Sequence, residues 1–226
     1  MIDLEKVKLV VWDLDGTLID SFGVYRDILK EATTLSGLPM PDDETLRHNF
    51  HGSLDQTIQD TLKLVQGEAF EKVMNDFLKV QEDYYLEPES HIHKDALRLA
   101  ERLSGRPQVV VTNRHHAGRG NASPHYLVEH SSLKKYITDV IPGDEAPVPK
   151  PDAGVLINIK VAQTVKGEEI LVVGDQFVDA LLAKNLGAQA VIVNRGDDEV
   201  PHLEQLGDDL SFLHIVASLD EVNALY

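Results

Sequence analysis

The sequence contains no cysteine, which excludes disulfides, thiolate metal sites and a thiol nucleophile. It lacks any run of about 18 apolar residues, the length a membrane-spanning helix needs, so no membrane partner is expected. Basic residues are scarce: 21 Lys plus Arg stand against 38 Asp plus Glu, a formal net charge of -17. A surface this acidic repels nucleic acid and anionic lipid, and neither is expected as a partner. It repels anionic substrates too, so an anion can bind only where a metal ion or a local cationic group reverses the field. Internal repeats and low-complexity tracts are also missing. The opening stretch, MIDLEKVKLVVWD, threads charges through its apolar residues and does not read as a signal peptide, so a cytoplasmic protein is expected.

What is present is ordinary for a soluble globular chain: 226 residues, 42% hydrophobic and 26% charged. That length allows one domain plus a smaller module. Residues 7–12 form a short, β-branched-rich run that stops at Asp13-Leu14-Asp15-Gly16-Thr17. Similar runs at 109–111, 170–173 and 190–193 stop at Thr112-Asn113, Gly174-Asp175 and Asn194-Arg195-Gly196, and 213–217 reads as a fifth strand. Helical patterns over 93–103, 116–130, 152–163 and 177–186 separate them. This alternation predicts an α/β fold, a Rossmann-like parallel sheet wrapped by helices, with ligands at the carboxyl ends of the strands. Residues 18–88 break the alternation. They read as helices near 20–36, 42–48, 54–66 and 68–85, punctuated by Gly37, Pro39, Pro41, Gly52 and Gly67. The expected organisation is therefore a core of 1–17 and 89–226 with an inserted helical cap of 18–88.

The polar strand ends carry the chemistry. Asp13 and Asp15 stand two apart after a buried strand; in a partly desolvated pocket a divalent cation or one shared proton would relieve their repulsion. Asp-Gly is also common turn chemistry, but the strand-end setting of the whole D-x-D-G-T pattern favours a site. Thr112 offers a hydroxyl, and Asn113 a backbone N–H, to an anionic oxygen. Lys150 lies between Pro149 and Pro151, which restrict where it points. Asp175 follows the 170–173 run and Asp179 lies one helical turn later. Four carboxylates against one lysine leave a net charge of -3, which cannot take a phosphate without a cation. One hard divalent ion with oxygen ligands resolves this, and Mg²⁺ suits phosphate chemistry.

With those motifs in order, the chain resembles the haloacid dehalogenase-like (HAD) superfamily, and its helical insert resembles the C1 cap of the phosphoglycolate phosphatase-like branch. The segments DLDGTLIDS and VGDQFVDALLAKNLGA look like that branch as well. The resemblance implies a phosphatase acting on a small phosphorylated metabolite. Asp13 would be the nucleophile, forming an aspartyl-phosphate, and Asp15 the general acid and then base. Thr112, Asn113 and Lys150 would bind the phosphoryl group. Mg²⁺ would sit on Asp13, the Asp15 carbonyl and Asp175, with Asp179 supporting that shell. One departure is Ala153, where the branch usually has the second proline of Lys-Pro-x-Pro.

Rival readings are weaker. A dehalogenase of this fold usually lacks the second aspartate. A β-phosphoglucomutase-like enzyme carries an Arg soon after a Gly-x-Ser element, whereas this chain reads His51-Gly52-Ser53-Leu54-Asp55-Gln56. A non-catalytic binding protein would have no need of every motif residue. The 47–53 segment is expected to be a loop in which Arg47, His48 and His51 select the substrate; phosphoglycolate, a sugar phosphate, a nucleotide and pyrophosphate are all open. The 114–125 stretch is rich in His, Gly and Arg. His115 and His116 have no matching third ligand in the sequence, so no zinc site is expected there. A monomer or homodimer is expected.

Overall fold

The computed structural model describes residues 2–50, 54–196 and 200–224. They form two compact units: residues 1–19 with 92–226, and Asp20–His91. In the first unit Ile19 bridges to Ile92, and the His93 N–H donates to the Leu18 carbonyl at 2.9 Å. Both ends of the insertion are thus closed within that unit.

The first unit is built on strands β1 (Leu9–Trp12), β2 (Gln108–Val111), β3 (Asp139–Ile141), β4 (Ile170–Gly174), β5 (Gln189–Val193) and β6 (Leu213–Val216). Among the described residues they make one sheet, ordered β3-β2-β1-β4-β5-β6, with every pairing parallel. A parallel sheet covered on both faces needs strands without polar alternation, and β1, β2 and β4 are buried throughout. On one face Leu9, Val11, Val109, Val111, Ile170 and Val172 pack in a single apolar cluster. The buried polar pair in this core is satisfied: Trp12 Nε1–H donates to Gln108 Oε1 at 2.9 Å, and Gln108 Nε2 donates to the Ala100 carbonyl at 2.8 Å.

Helices α5 (Lys94–Arg102), α6 (Pro124–Glu129) and α7 (Phe177–Leu186) belong to this unit. Two expected helices are much shorter than their apolar spacing suggests. The one expected over 116–130 starts only at Pro124, a residue suited to the first helical turn, where the Ser123 side chain caps it. Before it, Gly118 and Gly120 take left-handed backbone angles that interrupt any helix. The one expected over 152–163 is two 3₁₀ turns, Ala153–Leu156 and Val161–Gln163. Its β-branched Val155, Ile157, Ile159 and Val161 are poor helix residues, and the Gln163 amide donates to the Ile157 carbonyl in place of a helical partner.

The second unit holds α1 (Ser21–Ser36), α2 (Asp43–Asn49), α3 (Leu54–Leu62) and α4 (Glu68–Tyr84). Asp20 and Asp42 cap α1 and α2 with their side chains. Tyr25 packs among Phe50 and Phe77, at ring separations of 5.1 and 5.8 Å, and donates its hydroxyl to Thr61. Burial pushes the Tyr25 phenol up to about 12.

Candidate active site

The strand order places β2, β1 and β4 side by side, so their carboxyl ends bring Thr112, Asp13 and Asp175 to one edge of the sheet. Asp13 follows β1 directly, and its N–H donates to the Val173 carbonyl at 2.8 Å, extending the ladder by one rung. Its carboxylate is buried and gripped on both oxygens. Lys150 Nζ lies 2.5 Å from Oδ1, and the Thr17 hydroxyl donates to Oδ2 at 3.1 Å. Lys150 Nζ also lies 2.7 Å from Asp179 Oδ1, while Asp179 Oδ2 accepts the Gln176 N–H at 3.2 Å. The Asp179 carboxylate is therefore committed to Lys150 and to the first turn of α7.

Lys150 reaches this position because its backbone is clamped. Its N–H donates to Asn113 Oδ1 at 3.0 Å, and its carbonyl accepts from Asn113 Nδ2 at 3.3 Å. The Asn113 side chain thus ties the end of β2 to the lysine loop, a job its place in the sequence did not disclose. Thr112 is buried, and its hydroxyl oxygen accepts the Arg114 N–H at 3.0 Å. Gly16 has φ +78, and a Cβ on it would lie 2.2 Å from Asp175 Oδ2. Only glycine lets that turn approach the Asp175 carboxylate.

The electrostatics follow from burial. Desolvation pushes the Asp13 carboxyl up to about 7; Lys150 opposes the rise, and Asp179 and Asp15 add to it. Desolvation, then the charges of Asp13 and Asp179, raise Asp175 well above the ordinary carboxylate range. Burial works against the Lys150 ammonium, but Asp13 and Asp179 outweigh it and hold the lysine charged. One ammonium among these carboxylates leaves negative charge uncompensated. Oxygens of Asp13, Asp175 and Asp179 lie within 4.8 Å of one another. A hard-oxygen donor set with surplus negative charge fits one divalent cation of the Mg²⁺ type.

Two arginines were missed in the sequence. Arg114 donates Nε–H to Asp15 Oδ2 at 3.0 Å and Nη2–H to Asp15 Oδ1, a two-pronged grip, while Nη1 donates to the Ala122 carbonyl. Arg195, just past β5, donates to the Gly16 and Thr17 carbonyls at 3.2 and 3.3 Å and pairs with Asp95 through Nη1 and Nη2 at 2.8 and 3.0 Å. It straps the turn after β1 to the start of α5. Burial opposes the Asp95 charge, but hydrogen bonds from Arg195 and the Leu219 N–H hold its carboxyl well below the ordinary range. Arg114 stands two residues beyond a strand-end threonine, the one local hint available. Nothing near Arg195 or Asp95 hints at a pairing across a hundred residues.

Of the expected selectivity residues, Arg47 and His48 lie in the last turn of α2, in the second unit, where the Arg47 guanidinium stacks 4.3 Å over the Phe22 ring. His51 lies outside the described residues.

A Rossmann-like parallel sheet with a lysine-paired carboxylate cluster at its central strand ends defines an α/β enzyme with an acidic site. The chain belongs to the haloacid dehalogenase-like hydrolase family, whose model matches residues 10–193. It is 29% identical over 191 residues to a phosphoglycolate phosphatase of Vibrio parahaemolyticus, an overlap of 81% of this chain and 82% of that one. Its fold is similar to a HAD-superfamily hydrolase, subfamily IA, variant 1, of Geobacter sulfurreducens, with TM-score 0.71, 20% identity and coverage of 97% and 96%. It is similar, too, to a HAD-hydrolase of Bacillus subtilis in a magnesium-bound form, with TM-score 0.68, 13% identity and coverage of 97% and 98%.

Proposed function

We propose that this chain is a Mg²⁺-dependent phosphatase, phosphoglycolate phosphatase-like, that hydrolyses a small phosphorylated metabolite through an aspartyl-phosphate on Asp13. The observation that carries the reading is the Asp13 carboxylate: buried, aimed by Lys150 and Thr17, and two residues from Asp15. An oxygen of Asp13 attacks phosphorus as the P–O bond to the substrate alcohol breaks. Asp15, positioned by Arg114 and protonated from solvent before the step, gives the departing oxygen that proton and returns to the carboxylate paired with the guanidinium. In the second step Asp15 takes a proton from water, the water oxygen attacks phosphorus, and inorganic phosphate leaves with Asp13 restored.

The other residues hold the group in place. Thr112 and the Asn113 N–H bind phosphoryl oxygens, and Lys150 offsets their charge while it orients Asp13. Asp13, the Asp15 carbonyl and Asp175 would hold Mg²⁺, with Asp179 supporting that shell by fixing Lys150. The bound cation supplies positive charge that lets an anionic phosphoryl group enter a carboxylate-rich site. A B. subtilis protein of similar fold has been seen bound to magnesium.

Arg47, His48 and His51 are proposed to select the substrate's second anionic group. A phosphoglycolate-type substrate, with phosphate and carboxylate on one small molecule, fits this assignment and the curated relative. We place the enzyme in the cytoplasm, as a monomer or homodimer. The test is phosphate release across a panel of phosphometabolites, with Mg²⁺ and with chelator. Mg²⁺-dependent turnover of small phosphomonoesters supports the proposal; no release from any of them, or undiminished release in chelator, overturns it.

A further inference from the structure

The histidines after β2 have no part in the chemistry above, and sequence spacing alone sets no third ligand beside the adjacent His115 and His116. The fold instead joins His116 to two other residues. His116, His125 and Glu145 each present a ligand atom within 4.8 Å of the others. His125 Nε2 lies 3.0 Å from Glu145 Oε2, and the two imidazoles meet edge to face with centroids 4.9 Å apart. From these juxtaposed side chains we propose a second metal site, distinct from the carboxylate cluster, that takes a divalent transition-metal ion of the Zn²⁺ class.

The donor set chooses the metal. Two imidazole nitrogens and one carboxylate oxygen suit Zn²⁺, Ni²⁺ or Cu²⁺, whereas Mg²⁺ prefers oxygen alone. Three protein ligands leave a coordination position for water or for a further donor. The side chains of His125 and Glu145 are 41% and 44% exposed, so an ion can reach them from solvent. In the metal-free protein, a hydrogen bond between His125 Nε2 and the Glu145 carboxylate requires a proton on that nitrogen. The metal takes that proton's place at Nε2, and the proton moves to Nδ1 of a neutral ring or, from an imidazolium, leaves to solvent.

The three ligands stand on braced backbone. Asp144, next to Glu145, accepts the N–H groups of His116 and Ala117 at 2.6 and 2.9 Å. The Gly143 N–H donates to the Arg114 carbonyl at 2.9 Å, and a Cβ on Gly143 would sit 2.6 Å from the Asn113 carbonyl oxygen. That close approach locks the turn after β3 onto the loop after β2. His125 is fixed in the first turn of the Ser123-capped α6. A bound ion would cross-link these three segments and brace the loop whose Arg114 grips Asp15.

The test is a Zn²⁺ titration of the full chain by calorimetry, with thermal unfolding alongside, in an Asp175→Asn background that weakens the carboxylate cluster. The proposal predicts one Zn²⁺ per chain and a rise in Tm on adding it. His116→Ala and His125→Ala should each weaken that binding at least tenfold and remove the rise in Tm; Co²⁺ should give the visible absorption of a low-coordinate nitrogen–oxygen site. Equal Zn²⁺ affinity with and without the two histidines overturns the proposal, as does the absence of Zn²⁺ binding in the Asp175→Asn chain. Far-UV circular dichroism of the histidine variants separates lost ligands from lost folding.

Discussion

Replacing Lys150 by methionine, a side chain of similar length without charge, tests whether the lysine is the counter-ion of the acidic site. The Lys150 side chain is 3% exposed, and its partners Asp13 and Asp179 are 9% and 1% exposed. Solvent screens these contacts little. Removing one partner of such a buried pair costs roughly 3–5 kcal/mol, because the remaining charges lose their compensation. For a chain of this size each 1 kcal/mol moves Tm by about 2–4 °C, so Lys150→Met should lower Tm by about 6–20 °C at pH 8. The loss should shrink at pH 5.5. There Asp13, whose carboxyl burial has pushed up to about 7, is protonated and needs the lysine less. The assay is thermal unfolding followed by circular dichroism at both pH values in metal-free buffer. Adding Asp179→Asn to Lys150→Met should recover part of the loss, since it removes one of the stranded charges. A Tm within about 2 °C of the parent at pH 8, well below the shift expected for a buried pair, would refute the reasoning.

Arg114→Ala should release Asp15 and impair proton delivery. Its kcat should fall by up to about 10²-fold on alkyl phosphates, whose leaving oxygen needs the proton, and much less on an aryl phosphate, whose leaving group departs unaided. Steady-state kinetics on both substrates check this, and equal losses would contradict it. Asp95→Ala should alter the acid side of the stability profile. The folded-state carboxyl lies below its ordinary 3.8, so its charge stabilises the fold above that value and the contribution is lost as pH falls. The Tm difference between parent and variant should be largest near neutrality and narrow below pH 4; a pH-independent difference would show that packing, not charge, holds the strap.

Much of this architecture was legible because buried parallel strands leave a plain mark. Residues 9–12, 109–111 and 170–174 are short apolar runs, and each stops at a polar group that the fold brings to one edge. The β3 strand was missed because it has three residues, opens on the exposed Asp139 and pairs only at the sheet edge. Helices were overextended where apolar spacing persisted through Gly118 and Gly120, or through the β-branched run 155–161, since spacing alone ignores backbone preference. In the acidic site, motif order announced the carboxylates and Lys150. The groups that hold them came only from the fold: Asn113 on the lysine backbone, Thr17 on Asp13, Arg114 on Asp15 and Arg195 beneath the turn. Long polar side chains carry no periodic signal of their partners, and neither do His116, His125 and Glu145.

The central claim, that phosphoryl transfer passes through Asp13, is tested most directly by trapping the covalent species. The enzyme is mixed with its best phosphometabolite and Mg²⁺, quenched in acid during turnover, and reduced with borohydride, which converts an aspartyl-phosphate to homoserine. Peptide mass mapping then locates the change. The mass shift should fall on the peptide containing Asp13 and be absent in an inactive Asp13→Asn variant. A shift on any other residue, or sustained turnover by Asp13→Asn, would contradict it.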